Sequence, residues 1–387
     1  MSMSKIDFVF FDAGGGHRSS ATALVQVIER QGYPWQVRMV DLQQLLDPVD
    51  LVRKLTGIRL QDLYNLMLKN EWTLGSPQMV RVLQAAIQFY HDDEVRLLRR
   101  FWRESEPDLV VSLVPHFNRA LWESLQRESG GTPYVTILTD LADYPPHFWI
   151  EPQEQFYICG TEKAAHQARA MGIPEDLAYQ TSGMILSPRF YEPVTADIRT
   201  ERQRLGLDPV LPTGLVMFGG QGSEAMLEIA RRLDESVLHL QLIFLCGSND
   251  KLAAELRRRR SRHPFVVEGF TTEVPYYMHL SDFFIGKPGP GSISEALAMR
   301  LPVIVQKNAW TLPQERYNAD WIQEREVGLV VNTFSHIALA VAELLRAETF
   351  SRFRANTAAI HNRAVFEIPR ILQSILERTH SLEPSFA

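Results

Sequence analysis

Short apolar runs alternate with longer amphipathic stretches along most of the chain. Several of these runs are continuously apolar, as expected for strands that are buried on both faces. The alternation predicts strand–helix units and parallel sheets, which makes the predicted fold class α/β. The predicted strands are Ile6–Phe11, Gln36–Val40, Leu109–Val114, Tyr134–Leu138 and Gln155–Cys159 in the first half, and Gly214–Phe218, Leu240–Cys246, Phe265–Val267, Asp282–Ile285, Pro302–Val305 and Gly328–Val331 in the second.

The apolar pattern is interrupted near Thr195–Pro212, where charged residues and two prolines take its place. A chain of 387 residues also favours two domains, at roughly 150 residues each. We therefore predict one domain at residues 1–195 and a second at 196–350. A long helical pattern at about Ser351–Arg378 follows the last strand, and we expect residues 351–387 to pack back toward the first domain.

The segment between residues 42 and 108 has no convincing strand pattern and is predicted to be helical. It is rich in apolar and aromatic residues, among them Leu66, Met67 and Trp72, with basic residues between them. Such a segment fits an apolar acceptor or a membrane surface. A helical layer that only covers the sheet would give the same pattern, so both interpretations stay open.

Composition narrows the class of protein. The net charge of −6 argues against nucleic-acid binding, which usually needs a strongly basic surface. No stretch reaches the roughly 18 apolar residues of a membrane-spanning helix, and Ile6–Phe11 is too short for a signal peptide. Cys159 and Cys246 lie in apolar runs and are too few for a disulfide framework or a zinc site. We expect a soluble or peripheral protein in a reducing compartment, in the cytoplasm or on the inner face of the cytoplasmic membrane.

The first glycine motif, Gly14–Ser20, directly follows the first predicted strand and leads into a helix expected to begin near Ser19. Glycines here let the backbone approach a ligand, and a helix N-terminus favours negative charge. A dinucleotide fingerprint would need glycine or alanine where Ser19 stands, although Asp41 lies where its ribose-binding acid would be. His17 interrupts that pattern. A neutral imidazole here could deprotonate a hydroxyl or simply cap the loop.

Two further glycine turns follow strands in the second half. Backbone N–H groups in the turn Gly219–Ser223 can hold a diphosphate without a metal. Gly286–Glu295 runs from a strand into a helix, so Ser292 and the helix N-terminus offer hydrogen-bond donors to phosphate. Glu295 offers acceptors to ribose hydroxyls, although an acid also fits the ordinary preference for the first turn of a helix.

A fourth motif, Pro313–Asn318, follows the strand at Pro302–Val305. Gln314, Glu315 and Asn318 are spaced so that they can converge on one polyol at the start of a helix. The chain also contains no Asp-x-Asp sequence, the kind of motif that would bind a metal diphosphate. The motifs together predict a nucleotide-sugar site that works without a metal.

These four motifs resemble those of glycosyltransferase family 28. The resemblance is strongest to the monogalactosyldiacylglycerol synthases and the processive diacylglycerol glucosyltransferases, and more distant to the peptidoglycan N-acetylglucosaminyl transferase. It extends from Ile6 to about Val331, and its most specific parts are Gly14–Ala21 and Lys287–Leu297. The stretch Gly269–Pro275 also resembles the family's loop that reads uracil, largely through the backbone.

The resemblance implies a GT-B fold, in which two Rossmann-like domains face each other across a cleft. The donor would bind to the second domain and the acceptor to the first. It implies an inverting transfer of galactose, glucose or N-acetylglucosamine from a UDP-sugar to a lipid such as diacylglycerol, with no metal and no other cofactor. The expected partners are the UDP-sugar, the lipid acceptor and a membrane surface on which the protein is peripheral, but no nucleic acid.

The resemblance also assigns roles to residues. His17 falls at the position of the catalytic base, and Asp12 and Asp140 are the alternatives that could orient the imidazole or replace it. Glu295 would bind ribose, and the diphosphate would be held by the glycine turns and Ser292. The implied donor-binding residues are Gly16, Gly219, Gly220, Gln221, Gly222, Phe270, Val274, Gly289, Gly291, Ser292, Glu295, Gln314, Glu315 and Asn318.

One stretch departs from the family pattern. Thr139–Leu141 matches a motif of the lipid galactosyltransferases, which continues there to a histidine and a tryptophan. Here Ala142–Trp149 has a proline in place of that histidine, and His147 and Trp149 are the candidates to replace the pair. A non-lipid acceptor, an enzyme like the UDP-N-acetylglucosamine 2-epimerases and a UDP-sugar-binding module without turnover remain open as alternatives.

Overall fold

A computed structural model of the protein describes residues 3–12, 16–47 and 76–382, with the side chains of all of these except residues 76–90 and 380–382. Leu66, Met67 and Trp72, which carry the prediction of an acceptor or membrane segment, therefore lie outside the described residues. The chain divides into two compact units. The first comprises residues 1–188 and 363–387, and the second residues 189–362. The sequence placed the corresponding borders after residues 195 and 350.

The first unit is built on a six-stranded sheet in which every neighbouring pair is parallel, with the order β2-β1-β3-β4-β5-β6. Its central strands are buried from end to end, which explains their continuously apolar sequences. The strands are β1 (Ser4–Phe10), β2 (Trp35–Asp41), β3 (Leu109–Ser112), β4 (Tyr134–Ile137), β5 (Phe156–Cys159) and β6 (Ala178–Gln180).

Helices cover this sheet, and side-chain caps define where some of them begin. Asp41 accepts a hydrogen bond from Gln43 N at the start of α2, and Thr161 accepts one from Ala164 N at the start of α5, which satisfies backbone donors that a helix leaves unpaired. The last helix, α14, packs against α1 within the unit. The helices are α1 (Gly16–Gln31), α2 (Leu42–Leu46), α3 (Ser76–Ser105), α4 (Asn118–Glu128), α5 (Glu162–Ala170) and, at the C-terminus, α14 (Ala364–Leu382).

The second unit has a second parallel six-stranded sheet, with the order β12-β11-β10-β7-β8-β9. Its strands are β7 (Thr213–Met217), β8 (Gln241–Leu245), β9 (Phe265–Glu268), β10 (Phe283–Gly286), β11 (Val303–Gln306) and β12 (Gly328–Val331). Its helices are α6 (Ile198–Arg204), α7 (Ala225–Asp234), α8 (Asp250–Arg258), α9 (Val274–His279), α10 (Pro290–Ala298), α11 (Arg316–Glu324), α12 (Ile337–Leu344) and α13 (Ala347–Ala359).

The α/β class and all of the predicted strands are confirmed, but two elements differ from the prediction. The short edge strand β6 was not predicted. The stretch expected to form one helix at about Ser351–Arg378 is two, because the backbone is extended at Ile360 between α13 and α14. Cys159 and Cys246 are free and buried, as predicted. Of the helices described, none is both long and apolar enough to cross a membrane.

Candidate active site

Each sheet has one place where the order of the strands reverses. In the first unit it lies between β1 and β3, and in the second between β7 and β10. In open parallel sheets, ligands bind outside the carboxyl ends of the strands at this point, because the loops on either side diverge and leave a crevice. In the second unit the predicted glycine turns after β7 and β10 lie at this point, and in the first unit α1 begins there at Gly16, the first described residue of the Gly14–Ser20 motif.

His17 lies in the first turn of α1, just beyond the carboxyl end of β1. Its Nδ1 is 3.1 Å from Thr139 Oγ1, and its ring centroid is 5.8 Å from that of Trp149. Burial lowers the pKa of the imidazole to about 4, although a backbone hydrogen bond with Leu113 acts in the opposite direction. His17 is therefore neutral at physiological pH and can accept a proton.

The two carboxylates proposed as alternatives to His17 have other partners. Asp12 forms an exposed ion pair with Arg18, at 2.8 Å. Asp140 is buried and accepts a hydrogen bond from Trp149 Nε1, also at 2.8 Å. His17 Nδ1 lies against Thr139, whereas Asp140 holds the indole of Trp149, which packs beside the histidine. That either carboxylate orients the imidazole or acts as the base stays a prediction.

The stretch that departs from the family pattern places Trp149, but not His147, at this site. Asp143 is buried, and its carboxylate accepts hydrogen bonds from the backbone N–H groups of His147 and Trp149, at 3.2 and 2.7 Å. Gln167 bonds to the backbone N–H and carbonyl of Asp143. Burial raises the pKa of Asp143 to about 6. The resulting loop exposes His147 and buries Trp149.

His116 is a neighbour of this site that the sequence analysis missed. It follows β3 with a left-handed backbone, at φ 67°, which is uncommon for a residue other than glycine. Its ring lies 4.3 Å from that of Phe148, and burial lowers its pKa to about 4. Among the described residues, its Nδ1 has no hydrogen-bond partner. The sequence carried one signal for it, because His116 follows β3, the strand that pairs with β1.

In the second unit, the turn after β7 needs its glycines. Gly219 and Gly222 have φ of +77° and +61°, and a Cβ at Gly222 would lie 2.8 Å from the carbonyl oxygen of Cys246. Ser248, on the loop after β8, donates to Gly220 O from both its backbone N–H and its hydroxyl. The turn is thereby fixed, and Gln221 lies at its exposed tip.

The loop after β10 brings the third motif to the same edge of the sheet. Gly289 is the N-cap of α10, and Ser292 and Glu295 lie in the first turns of that helix. A Cβ built at Gly220 or Gly291 would have no atom within 4 Å, so the backbone is open to a ligand at both glycines. The structure thus brings the predicted diphosphate-binding turns together across the point where the strand order reverses.

Glu295 is half-buried. Among the described residues, no group donates a hydrogen bond to its carboxylate. Burial raises the pKa of this carboxyl to about 7. Shielding an ionised carboxylate from water without a hydrogen-bond donor costs free energy. The Glu295 carboxylate is therefore ready to accept hydrogen bonds from a ligand's hydroxyl groups.

The fourth motif is placed differently from the prediction. Asn318 is fully buried and its Nδ2 donates to Pro288 O at 2.7 Å, so its side chain supports the loop after β10. Glu315 is also buried and accepts a hydrogen bond from Lys287. Gln314, which precedes Glu315 in sequence, is partly exposed. The three side chains do not converge on one exposed point.

The stretch predicted to read uracil, Gly269–Pro275, follows β9. Phe270 is 73% exposed, which is unusual for a large aromatic side chain and leaves its ring available to stack on a base. Arg189 fixes the loop by donating to Thr272 O and to the Glu273 carboxylate. Val274 begins α9. Among the described residues, no group of three or more His, Cys, Asp or Glu side chains is placed to hold a metal ion.

Comparisons with known proteins agree with this arrangement. The family model for monogalactosyldiacylglycerol (MGDG) synthase matches residues 17–183, and that for the glycosyltransferase family 28 C-terminal domain matches residues 214–358. Monogalactosyldiacylglycerol synthase 2, chloroplastic, of Arabidopsis thaliana is 27% identical to the chain, over 97% of the chain and 83% of that protein. A probable monogalactosyldiacylglycerol synthase 2, chloroplastic, of Oryza sativa subsp. japonica is 28% identical, over 95% and 80%.

Solved structures share the fold at low sequence identity. MurG of Acinetobacter baumannii superposes with a TM-score of 0.64 at 12% identity, covering 96% of this chain and 99% of that one. The UDP-GlcNAc 2-epimerase of Neisseria meningitidis superposes with a TM-score of 0.59 at 15% identity, covering 96% and 100%. Because the two family models together span most of both units, the chain belongs to glycosyltransferase family 28 and is a glycosyltransferase.

Proposed function

We propose that the protein transfers galactose, glucose or N-acetylglucosamine from a UDP-sugar to a lipid acceptor such as diacylglycerol, with inversion at the anomeric carbon and without a metal. The observation that carries this proposal is the neutral imidazole of His17 at the point where the first sheet reverses its strand order. The names of the relatives, monogalactosyldiacylglycerol synthases, support a galactosyl donor and a diacylglycerol acceptor.

The reaction follows from the groups at the two sites. The acceptor hydroxyl gives its proton to His17, and its oxygen forms a bond to the anomeric carbon on the face opposite the nucleotide. The bond between that carbon and the phosphate oxygen breaks, and its electron pair leaves with UDP. Backbone N–H groups at Gly220, Gln221, Gly291 and Ser292 would stabilise the departing charge, as fixed donors do for developing anions in other enzymes.

The same fold serves a different reaction in the UDP-GlcNAc 2-epimerases, so the fold does not choose between them. Release of UDP from UDP-galactose, UDP-glucose and UDP-N-acetylglucosamine, measured with and without diacylglycerol, separates the possibilities. A transferase of the proposed kind releases UDP only when lipid is present and labels the lipid. Epimerisation without lipid would contradict the proposal, and binding without any turnover would reduce the protein to a UDP-sugar-binding module.

Turnover is expected to be unchanged in excess EDTA. The physical reason is that backbone donors and helix N-termini at the glycine turns take the place of a bound cation. The measurement is the initial rate of UDP release in EDTA and after addition of magnesium or manganese. A rate that falls in EDTA and returns with either metal would contradict metal-independent stabilisation of the leaving group.

A lipid acceptor also implies that the protein works peripherally at a membrane surface. We propose that this surface is the inner face of the cytoplasmic membrane. Replacing Leu66, Met67 and Trp72 together by serine is expected to weaken sedimentation with liposomes, because apolar side chains drive interfacial binding. Affinity for UDP should not change. If the unaltered protein does not bind liposomes of diacylglycerol and anionic phospholipid, the acceptor is a soluble molecule.

A further inference from the structure

Lys287 lies immediately after β10, at the point where the second sheet reverses its strand order. Its side chain runs past both glycine turns that we assign to the diphosphate. A Cβ built at Gly219 would lie 3.8 Å from Lys287 Cε, and one built at Gly289 would lie 3.3 Å from the same atom. The ammonium-bearing chain therefore occupies the space between the turn after β7 and the start of α10.

Glu315 holds this side chain in place. Lys287 Nζ donates to Glu315 Oε1 at 3.1 Å. The carboxylate side chain is only 11% exposed, whereas the lysine side chain is 41% exposed. An ammonium group has three donors, and the contact with Glu315 uses one of them. The lysine is thus anchored from the protein side and keeps donors directed at solvent or a ligand.

We propose that Lys287 contacts the diphosphate of the UDP-sugar and stabilises the negative charge on UDP as it leaves. This inference rests on the proposed function. It gives the site a full positive charge, in addition to the partial charges of backbone N–H groups and the helix N-terminus. The charge acts where the electron pair of the broken bond arrives, on the phosphate oxygen, so its effect grows as the bond breaks.

The same contact revises the role predicted for Glu315. A buried carboxylate that accepts from Lys287 is a positioning group for the cation, and we do not assign it to the sugar hydroxyls. The sequence could not show this, because Lys287 and Glu315 belong to different motifs and meet only through the pairing of β10 with β11.

The test compares UDP with uridine, which lacks the diphosphate. Lys287→Met removes the charge and keeps the length of the chain, and we expect it to weaken UDP binding about tenfold, the lower end for a charge-assisted hydrogen bond because the side chain is partly exposed. Uridine binding should be unchanged. Lys287→Arg should restore most of the UDP affinity. Calorimetry in EDTA measures all of these.

The matched control is Lys307→Met. Lys307 lies after β11 at the same edge of the sheet and pairs with Asp320, so its replacement also removes one cation from an ion pair. Unlike Lys287, it is not among the nearest neighbours of a Cβ built at Gly219 or Gly289. We expect its UDP affinity to equal that of the unaltered protein. In Lys287→Met, turnover with the UDP-sugar should fall by a larger factor than UDP affinity does. Lys307→Met should not show this difference.

Equal losses of UDP and uridine affinity in Lys287→Met would overturn the inference, because they would show a structural role. Unchanged UDP affinity in Lys287→Met would overturn it as well. In both cases lipid-dependent turnover by the unaltered protein would leave the proposed function standing. If the unaltered protein binds UDP no better than uridine, the diphosphate is not recognised, and the donor assignment fails together with the inference.

Discussion

Replacing His17 by alanine is expected to lower turnover about 10²–10⁴-fold, the usual contribution of a general base. UDP affinity should stay nearly unchanged, because all of the implied donor-binding residues except Gly16 belong to the other unit. The expectation depends on the neutral state of the imidazole and on the contact of its Nδ1 with Thr139. Initial rates of lipid-dependent UDP release, together with calorimetry on UDP, measure the two quantities separately.

The pH profile should distinguish a base from a merely structural histidine. Burial lowers the pKa of His17 to about 4, below the usual value near ~6.5, so the imidazole loses its function only when it is protonated at lower pH. In the unaltered protein, kcat at saturating donor and lipid should therefore stay constant as the pH falls through 6.5, and should decline only as the pH approaches 4. His17→Ala should lack this acidic limb.

A matched control for this variant is His166→Ala, which removes an exposed histidine on α5 in the same unit and should leave turnover unchanged. Thr139→Val removes the hydroxyl next to Nδ1, and we expect a smaller loss than in His17→Ala, because the ring keeps its contact with Trp149. If His17→Ala keeps most of its activity while folding normally, the assignment of the base is wrong. Asp140→Asn is then the variant to measure.

The fold was largely predictable because its strands are buried on both faces. Runs such as Leu109–Ser112 and Thr213–Met217 are buried along their whole length, so their sequences are apolar without alternation and stand out from the helical pattern. The strand β6 is only three residues long, with one residue buried. A strand at a sheet edge with so little buried surface leaves almost no periodic signal.

The candidate site was predictable where backbone geometry demanded a particular residue. Gly219 and Gly222 have positive φ, and Gly222 also has little room for a side chain. That requirement is visible in the sequence as a glycine motif. Contacts between distant side chains carry no such signal. The spacing of Gln314, Glu315 and Asn318 gave their order along a turn but not their depth, and Asn318 turned out to be fully buried.

The second large effect is expected at Glu295. Glu295→Ala should weaken UDP binding by about 2 kcal/mol or more, roughly 30-fold, because a shielded carboxylate that accepts from ribose hydroxyls would be lost. Glu255→Ala is the matched control, since Glu255 is exposed on α8 of the same unit and removes the same group away from the site. Equal affinities for UDP in all three proteins would place the donor elsewhere.

The pKa of Glu295 makes a sharper test than the substitution alone. Burial raises this pKa to about 7, and ribose hydroxyls that donate to the carboxylate favour its ionised form. Binding should therefore release a proton below pH 7, and affinity should rise with pH until the carboxyl is fully ionised. UDP-galactose is the suitable probe, because its diphosphate does not titrate in this range. Glu295→Gln should bind more weakly and lose this pH dependence, whereas a pH dependence that survives in Glu295→Gln would show that another group titrates on binding.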